Sequence, residues 1–368
     1  MNVLIVMPLG KFGGGAEQML ATYINGSHDK KSISLHFLFL SDGDLASGVR
    51  RLGYPVEVLN AGRLREFGRW VHTQYKIGKI MDRWEIQSVL AWMPKAGLYL
   101  VWAVRTRRVP VLMWRHDIPF QIGRIDRWTL RLARVRAVAC SSTTAKTAFQ
   151  NCLSRVPART IHPGASRLLF DYQVVSQIRR VALDGRRGPI VGTIARLQPW
   201  KRIDLLIKAT AVLKAAFPEL RVVIVGGESH GFSRGYGDEL RRLARNLLGD
   251  SVFFAGEQRQ VGNWIEAMDV FVLPSASEPF GIVLVEAMAA GKPVIACAGG
   301  GPEEIITKDV VGKILPPSPT PEQMSDAIKN LLDPNVLNRA HRVNVQVASR
   351  FSPQTMISQI DAWLEAST

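Results

Sequence analysis

The sequence predicts an α/β protein with buried parallel strands and room for two domains. Short apolar runs, typical of buried parallel strands, alternate with segments of helical spacing through most of the 368 residues. Glycine-rich or polar turns follow several of these runs, as they do where strands end at a ligand crevice. The length suffices for two domains, and the hydrophobic content of 47% is that of a globular protein.

The most informative stretch spans residues 271–296. An apolar run at 271–273 predicts a buried strand, and the loop 274–281 ends it because proline lacks a donor and glycine loosens the backbone. Residues 282–290 favour a helix that Gly291 would cap, and residues 294–296 begin another strand.

Two carboxylates lie in this stretch, Glu278 in the loop and Glu286 in the second turn of the helix. Ligands bind outside the carboxyl ends of strands in open α/β sheets, and the first N–H groups of a helix attract anions. The stretch therefore predicts a site for a sugar joined to a phosphate, with carboxylates for the hydroxyls. The alternative is a helix cap at Glu278 and a solvated Glu286.

The pattern Pro-Ser…Glu-Pro-Phe-Gly…Glu-Ala-Met-Ala…Gly-Lys-Pro-Val resembles the donor-site signature of the retaining, group 1 glycosyltransferases of family 4. The resemblance implies the GT-B fold, in which two Rossmann-like domains with parallel sheets face a cleft. It also implies that Glu278 contacts the donor sugar and Glu286 the nucleotide ribose. The candidate substrate-binding residues of this stretch are Glu278, Pro279, Phe280, Gly281, Ile282 and Glu286.

In the first half, apolar patterns predict strands at 2–7, 34–40, 56–59, 109–114 and 137–141. The glycine-rich turn after the first strand lets backbone approach a ligand closely, but it lacks the lysine and hydroxyl of a P-loop. A tight turn without a ligand is the alternative. The turn resembles the Gly-Gly-Ala-Glu loop of the same family, which makes Gly14, Gly15 and Glu17 candidate substrate-binding residues.

His116 and Asp117 follow the predicted strand 109–114. A lone histidine at a strand end is often structural, but this position matches a family histidine that contacts the donor sugar. We therefore take His116 as a candidate catalytic residue and Asp117 as a substrate-binding one. Whether Asp117 orients the imidazole or contacts the acceptor stays open.

The second half begins with a predicted strand at 189–194, and Arg196 and Lys201 lie between it and a helix at 203–215. An arginine fork and a lysine point charge together suit a diphosphate. The spacing matches the family pair that grips the donor diphosphate, which makes both residues candidates for binding and catalysis. Without a metal, these cations would stabilise the leaving nucleotide diphosphate.

Further strands are predicted at 221–225 and 252–254, and helices at 321–332, 335–350 and 353–366. In the family, the loop after residue 254 lies against the nucleotide base, so Gln258 and Arg259 are candidate substrate-binding residues. A glycine-rich strand end at 298–301 is consistent with close approach of a phosphate or sugar.

The domain boundaries follow from composition. We place an acceptor domain at 1–170, a polar linker at 171–188, and a nucleotide-sugar-binding domain at 189–350. The final helix, 351–368, crosses back to the first domain in the implied fold.

The formal net charge is +16, and nearly all of it lies in the first half. Residues 1–185 contain 27 basic and 12 acidic residues, against 20 and 19 in the remainder. A one-sided basic field suggests an anionic partner, with plain solubility as the alternative. The basic amphipathic segments 64–84 and 124–136 are either solvated helices or helices at an anionic membrane.

Three scattered cysteines, Cys140, Cys152 and Cys297, indicate a reducing compartment. The apolar N-terminus lacks the features of a signal peptide, and no run is long enough to span a membrane. We expect a cytoplasmic protein, with contact at the inner face of the cell membrane. No metal-ligand spacing occurs, so no metal and no cofactor are expected apart from the nucleotide-sugar co-substrate.

Together these features predict a retaining, metal-independent hexosyltransferase. The donor is a nucleotide-diphosphate sugar, with a UDP-sugar favoured over GDP-mannose, and the acceptor is a saccharide or lipid-linked saccharide of polysaccharide or lipopolysaccharide biosynthesis. The absence of a well-placed nucleophile favours attack of the acceptor from the leaving-group face. The alternatives are another GT-B enzyme, such as a sugar-nucleotide epimerase or a phosphorylase, and a nucleic-acid-binding protein, although no nucleic-acid partner is expected.

Overall fold

The computed structural model describes residues 1–27, 32–62, 65–153, 155–165, 167–228 and 235–367. The chain divides into two compact units. Unit 1 comprises Met1–Gly164 together with Pro353–Thr368, and unit 2 comprises Ala165–Ser352.

Unit 1 is a seven-stranded parallel sheet with helices packed against it. The strand order is β3-β2-β1-β4-β5-β6-β7, so the order reverses between β1 and β4. The elements are β1 (Asn2–Met7), α1 (Gly15–Gly26), β2 (Ser34–Phe39), α2 (Asp44–Arg51), β3 (Val56–Val58), α3 (Phe67–Arg83), β4 (Ser88–Ala91), α4 (Pro94–Leu98), α5 (Val101–Arg107), β5 (Val111–Arg115), α6 (Arg124–Leu132), β6 (Val135–Cys140), α7 (Thr143–Cys152), β7 (Ala158–Thr160) and α16 (Pro353–Glu365).

The central strands of unit 1 are buried on both faces, which explains their nearly continuous apolar sequences. Val3 to Met7 of β1 are fully buried, and β1 pairs in parallel with both β2 and β4. Ser142 caps α7 by accepting a hydrogen bond from the Ala145 N–H at 3.1 Å.

Unit 2 is a six-stranded parallel sheet with the order β10-β9-β8-β11-β12-β13, which reverses between β8 and β11. Its elements are α8 (Tyr172–Leu183), β8 (Ile190–Ile194), α9 (Ile203–Leu213), β9 (Arg221–Val225), α10 (Tyr236–Leu248), β10 (Val252–Gly256), α11 (Val261–Ala267), β11 (Val270–Leu273), α12 (Ile282–Ala289), β12 (Val294–Cys297), α13 (Pro302–Ile305), β13 (Gly312–Leu315), α14 (Pro321–Leu331) and α15 (Pro334–Ala348), with 3-10 turns at Pro199–Lys201 and Ser349–Phe351.

Two parallel-sheet α/β units confirm the predicted fold class. The linker predicted at 171–188 is different, because most of it is helix α8, whose buried Val175 and Ile178 pack in unit 2. The polar sequence there is the solvent face of an amphipathic helix. The helix predicted at 64–84 begins at Phe67, and Leu64 lies outside the described residues.

Candidate functional site

The point where the strand order of unit 2 reverses places two loops side by side. β8 pairs in parallel with β11, so the segment after β8 and the segment after β11 leave the same edge of the sheet. A hydrogen bond from the Ala276 N–H to the Trp200 carbonyl, 2.8 Å long, joins the two segments. Ligands of open α/β sheets bind at such reversals, so this edge is the candidate site of unit 2.

The two loops bring Lys201 and Glu278 together. The Lys201 Nζ donates to Glu278 Oε2 at 2.6 Å, and each side chain is only 11% exposed. Nζ also lies 3.9 Å from the centroid of the Trp200 ring, whose Nε1 donates to Gln198 Oε1. The ammonium group is therefore held between a carboxylate and an aromatic face, both of which attract cations.

Backbone geometry fixes the loop that carries Glu278. Gly281 has a φ of 98°, a conformation that strongly favours glycine, immediately before α12. Gly300 and Gly301 pack directly on the loop, since a Cβ on Gly300 would clash with the Glu278 carbonyl. The Gly301 N–H donates to that carbonyl at 2.9 Å. The glycines after β12 thus support the Glu278 loop. The sequence had instead indicated that these glycines allow close approach of a phosphate or sugar.

Glu286 is a buried carboxylate on α12, 8% exposed. Its neighbours on the helix are apolar and buried, and desolvation raises the pKa of Glu286 to about 7. Among the described residues, no hydrogen bond or ion pair reaches this carboxylate. Burial of an acceptor without a donor is costly, so the group is suited to receive donors from a ligand.

The remaining candidates of unit 2 occupy different environments. Arg196 and Arg259 are exposed, and the Gln258 side chain donates to the Ala255 carbonyl at 2.7 Å. Pro279 and Ile282 are half-buried beside Glu278. The Phe280 ring is buried in the core and meets Phe351 edge-on at 5.5 Å. Arg196 and Lys201 were expected to converge on one anion, whereas Lys201 here contacts Glu278.

In unit 1, three strand ends meet where the strand order reverses. The His116 imidazole, after β5, stacks on Trp114 with ring centroids 5.7 Å apart. His116 Nε2 lies 2.8 Å from the Trp92 carbonyl, and because a carbonyl only accepts, Nε2 carries the proton. Trp92 follows β4, and its own Nε1 donates to the Ala16 carbonyl at the start of α1.

Close packing keeps this histidine neutral. Desolvation lowers the pKa of His116 to about 4, partly offset by the hydrogen bond to Trp92. Nδ1 is then the acceptor nitrogen of the ring. Gly14 and Gly15 are exposed at the start of α1, whereas Glu17 is buried in its first turn.

Asp117 does not orient the imidazole. Its carboxylate accepts from Nε and Nη2 of the buried Arg115, at 3.2 and 2.8 Å, and Asp126 approaches the same guanidinium at 3.5 Å. The Asp117 side chain is 55% exposed, and the other role left open by the sequence, contact with the acceptor, stays a prediction.

Sequence reasoning missed two residues of the unit 2 site. Arg202 has a φ of 48°, and its guanidinium donates to the carbonyls of Pro274, Ser275 and Pro317, tying three loops together. Trp200 supplies the aromatic face against Lys201. Both lie beside Lys201 in the sequence, but only the fold shows which loops they reach.

Within the described residues, no group of three or more His, Cys, Asp or Glu side chains is arranged to hold a metal ion. No helix among them is both long enough and apolar enough to cross a bilayer.

Comparison with known proteins bears directly on unit 2. Residues 176–347 match the model of the glycosyl transferases group 1. The D-inositol 3-phosphate glycosyltransferase of Mycolicibacterium smegmatis is 36% identical over 197 residues, which cover 52% of this chain and 43% of that protein. The enzyme of the same name from Streptomyces griseus is 37% identical over 172 residues, covering 44% and 36%. The chain thus matches less than half the length of these curated relatives.

Solved structures extend the similarity to the whole chain. Anabaena Alr3699/HepE, solved in complex with UDP-glucose, is 25% identical with a TM-score of 0.85, and the match covers 100% of both chains. A glycosyltransferase from Rickettsia africae has a TM-score of 0.84 at 16% identity over 99% of this chain and 98% of its own, which shows the fold alone. By the sequence match over residues 176–347 and by its fold, this chain is similar to the group 1 glycosyltransferases.

Proposed function

We propose that this protein is a retaining, metal-independent hexosyltransferase that uses a nucleotide-diphosphate sugar, with a UDP-sugar favoured over GDP-mannose. The proposal is carried by the edge of unit 2 where Lys201 pairs with Glu278, together with the buried Glu286, which has no hydrogen-bond donor in the part of the chain that the structure describes. Lys201 suits the diphosphate, Glu278 suits the sugar hydroxyls, and Glu286 suits the ribose hydroxyls.

The Lys201–Glu278 pair explains how an empty site would avoid a buried, uncompensated charge. The two groups neutralise each other at 2.6 Å until a donor enters. The diphosphate then draws the ammonium group away, and the freed carboxylate accepts from the sugar hydroxyls. Arg196 is exposed and lies close to Lys201 in the sequence, and it is a second cation for the diphosphate.

Charge stabilisation of the leaving group is the main catalytic task in this scheme. As the bond from the anomeric carbon to the phosphate oxygen breaks, negative charge grows on the diphosphate, and Lys201 and Arg196 stabilise it without a metal. No nucleophile is assigned to the opposite face of the sugar, so the acceptor hydroxyl attacks the anomeric carbon from the leaving-group face with retention, and its proton passes to the departing phosphate oxygen. His116 is neutral at physiological pH, and its Nδ1 accepts a hydrogen bond from a sugar hydroxyl.

The preference for UDP rests on the similarity to Alr3699/HepE, which was solved with UDP-glucose, with UDP and glucose, and with UDP. Gln258 and Arg259, in the loop after β10, are the proposed contacts of the base.

Unit 1 provides the acceptor side of the proposal. A cavity of about 360 Å³ opens after β1 and β2, lined by Pro8, Leu9, Ser41, Arg69, Lys95 and Tyr99 among others. Gly14, Gly15, Glu17 and Asp117 complete the proposed contacts. The acceptor is a saccharide or lipid-linked saccharide, in cell-surface polysaccharide or lipopolysaccharide synthesis at the cytoplasmic face of the membrane. The relatives named for inositol 3-phosphate favour a phosphate-bearing acceptor as the second candidate.

The deciding experiment combines binding with product analysis. Thermal shift with UDP, GDP, CMP, TMP and the common UDP- and GDP-sugars should show stabilisation by one nucleoside diphosphate, and Glu286→Ala should lose it. Incubation of the matching nucleotide sugar with saccharide and inositol phosphate acceptors, with and without EDTA, should then give an α-linked product from an α-linked donor.

Three results would count against parts of the proposal. An inverted product would remove the retaining mechanism, and loss of transfer in EDTA would remove metal independence. An epimerised nucleotide sugar without transfer would favour the alternative GT-B enzyme. A matched control, Glu219→Ala, removes an exposed carboxylate just before β9, at the opposite edge of the sheet, and it should still bind nucleotide.

A further inference from the structure

Helix α6 of unit 1 presents an apolar stripe to solvent. Ile125, Trp128 and Leu132 are spaced three and four residues apart, so they lie on one side of the helix. They are 63%, 68% and 39% exposed, and Phe120, just before the helix, is 77% exposed. Helices of monomeric soluble proteins bury such stripes, so an exposed one marks a contact surface.

A stripe of arginines adjoins the apolar one. Arg124, Arg127 and Arg131 have the same three- and four-residue spacing, and all three are exposed. Thr129 and Leu130, 2% and 4% exposed, form the opposite side that packs on the unit. The one acidic residue of the helix, Asp126, is turned to the buried Arg115. The outer surface of α6 is therefore apolar and cationic, without acidic residues among those described.

Helix α3 differs from α6, although the two segments have similar sequences. Arg69 donates to the Asn60 carbonyl and pairs with Glu66, Arg83 pairs with Glu57, and Lys79 lies over the Tyr75 ring. Three of the basic residues of α3 are thus engaged by partners within the unit. Among the described residues, Arg127 alone of the α6 arginines has such a contact, from Nε to the Ile122 carbonyl at 3.2 Å. This contrast favours the membrane alternative for the segment 124–136 and the solvated-helix alternative for much of α3.

A second exposed aromatic group lies on neighbouring helices. Phe67 of α3 stacks on Trp70 at 5.9 Å, and Trp70 meets Trp102 of α5 edge-on at 5.1 Å. Phe67 and Trp102 are 69% and 45% exposed. Because α5 contacts both α3 and α6, these side chains extend the same side of unit 1.

We propose that the outer face of α6, with Phe120, docks unit 1 on an anionic phospholipid bilayer. Aromatic and branched side chains enter the boundary between headgroups and acyl chains, and the arginines bind lipid phosphates. Charge complementarity favours an anionic bilayer as the partner of this face, because residues 120–136 contain five arginines and one acidic residue. This inference rests on the proposed function in one respect, because a lipid-linked acceptor would lie in the membrane. Binding to the bilayer is measured without donor or acceptor.

The test is flotation of the full-length protein with vesicles. One set contains phosphatidylcholine alone, and the other contains 30% phosphatidylglycerol, roughly the anionic fraction that gives a strong surface potential. We expect binding to the anionic set at least about 10-fold tighter than to the neutral set, weakening as salt shortens the Debye length.

Two double variants test the contributions of the apolar stripe and the arginine stripe separately. Ile125→Ser with Trp128→Ser should reduce binding to anionic vesicles about 10-fold or more, and Arg124→Gln with Arg131→Gln should reduce it while flattening its salt dependence. Arg242→Gln with Leu247→Ser changes an exposed arginine and a 41% exposed leucine on α10 of unit 2, and this control should bind as the wild type does.

Quenching of tryptophan fluorescence by brominated lipid gives a readout of insertion. Quenching should fall when Trp128 is replaced by phenylalanine, although vesicle binding is retained. The proposal is overturned if the wild type does not bind anionic vesicles at low salt, or if both α6 variants bind them as tightly as the wild type does. Binding of RNA or duplex DNA lost in the same variants, without vesicle binding, assigns the face to nucleic acid. Sugar transfer to a soluble acceptor is measured separately, so either proposal can fail alone.

Discussion

Lys201 and Glu278 contribute to stability and to donor binding through the same contact. Each side chain is 11% exposed, so removal of one partner leaves the other charged, largely buried and unpaired. We expect Lys201→Met to lower the free energy of unfolding of unit 2 by about 2 kcal/mol. The same variant should lower kcat/KM for the donor by about 100-fold or more, as loss of a transition-state charge contact does.

The double variant Lys201→Met/Glu278→Leu distinguishes pairing from a general defect. It should regain part of the lost stability in urea denaturation, because no unpaired charge remains, while activity stays low. If the double variant were destabilised by the sum of the single effects, the ion pair would not be the source of the loss.

Because the Glu286 carboxylate is buried, we expect the free energy of unfolding of unit 2 to depend on pH. Burial raises its pKa to about 7, above the ordinary value near 4.5, so the folded state holds a proton that the unfolded state has lost between these values. Stability should therefore fall as pH rises from about 4.5 to 7 and level off above that. Glu286→Gln should abolish this slope and be more stable than wild type at pH 8 by roughly 2–3 kcal/mol.

Urea denaturation of wild type and Glu286→Gln across pH 4.5–8 measures the difference. His116 acts in the opposite direction, since its lowered pKa costs stability as pH falls below about 6.5, and the wild-type-minus-variant difference removes that contribution. A difference that does not change with pH would mean that the pKa of Glu286 is the same in the folded and the unfolded protein.

At the scale of elements, the loops after β11 and β12 form one support for the site. A Cβ at Gly300 would clash with the Glu278 carbonyl, whereas a Cβ at Gly227, in the loop after β9, meets only ordinary contacts at 3.5 Å or more. Gly300→Ala should therefore displace the Glu278 loop and weaken nucleotide-sugar binding by about 10-fold or more, because site residues need sub-ångström placement. Isothermal titration of both variants checks this, and Gly227→Ala should bind normally. Equal affinities would show that the loop tolerates the shift.

The strands and the stretch 271–296 could be predicted because their sequences are locally consistent. Residues 2–7 and 221–225 are predicted to the residue, since buried parallel strands have continuous apolar sequences between turns. The linker at 171–188 failed because a polar helix face resembles a linker in sequence. The contact between Lys201 and Glu278, which are 77 residues apart, depends on strand order, which no local pattern specifies.

At the scale of the molecule, α16 completes unit 1 from the far end of the chain. Ile360, Trp363 and Leu364 are buried there, Trp363 meets Trp114 edge-on at 6.3 Å, and the Tyr23 hydroxyl donates to Asp361 at 2.8 Å. The fold of unit 1 therefore requires that the chain pass through unit 2 and return. The two units hold separate cores, so they are expected to unfold in separable steps.

This arrangement predicts which unit a core substitution destabilises. Trp363→Ala should lower the stability of unit 1 by about 3–5 kcal/mol, whereas Trp128→Ala, at a 68% exposed tryptophan of the same unit, should change it by less than about 1 kcal/mol. In calorimetry, UDP should raise only the transition of unit 2, which identifies the two transitions. Trp363→Ala should then lower the UDP-insensitive transition and leave the other in place. If both transitions fell together, the units would unfold as one body, and α16 would stabilise the whole molecule rather than unit 1.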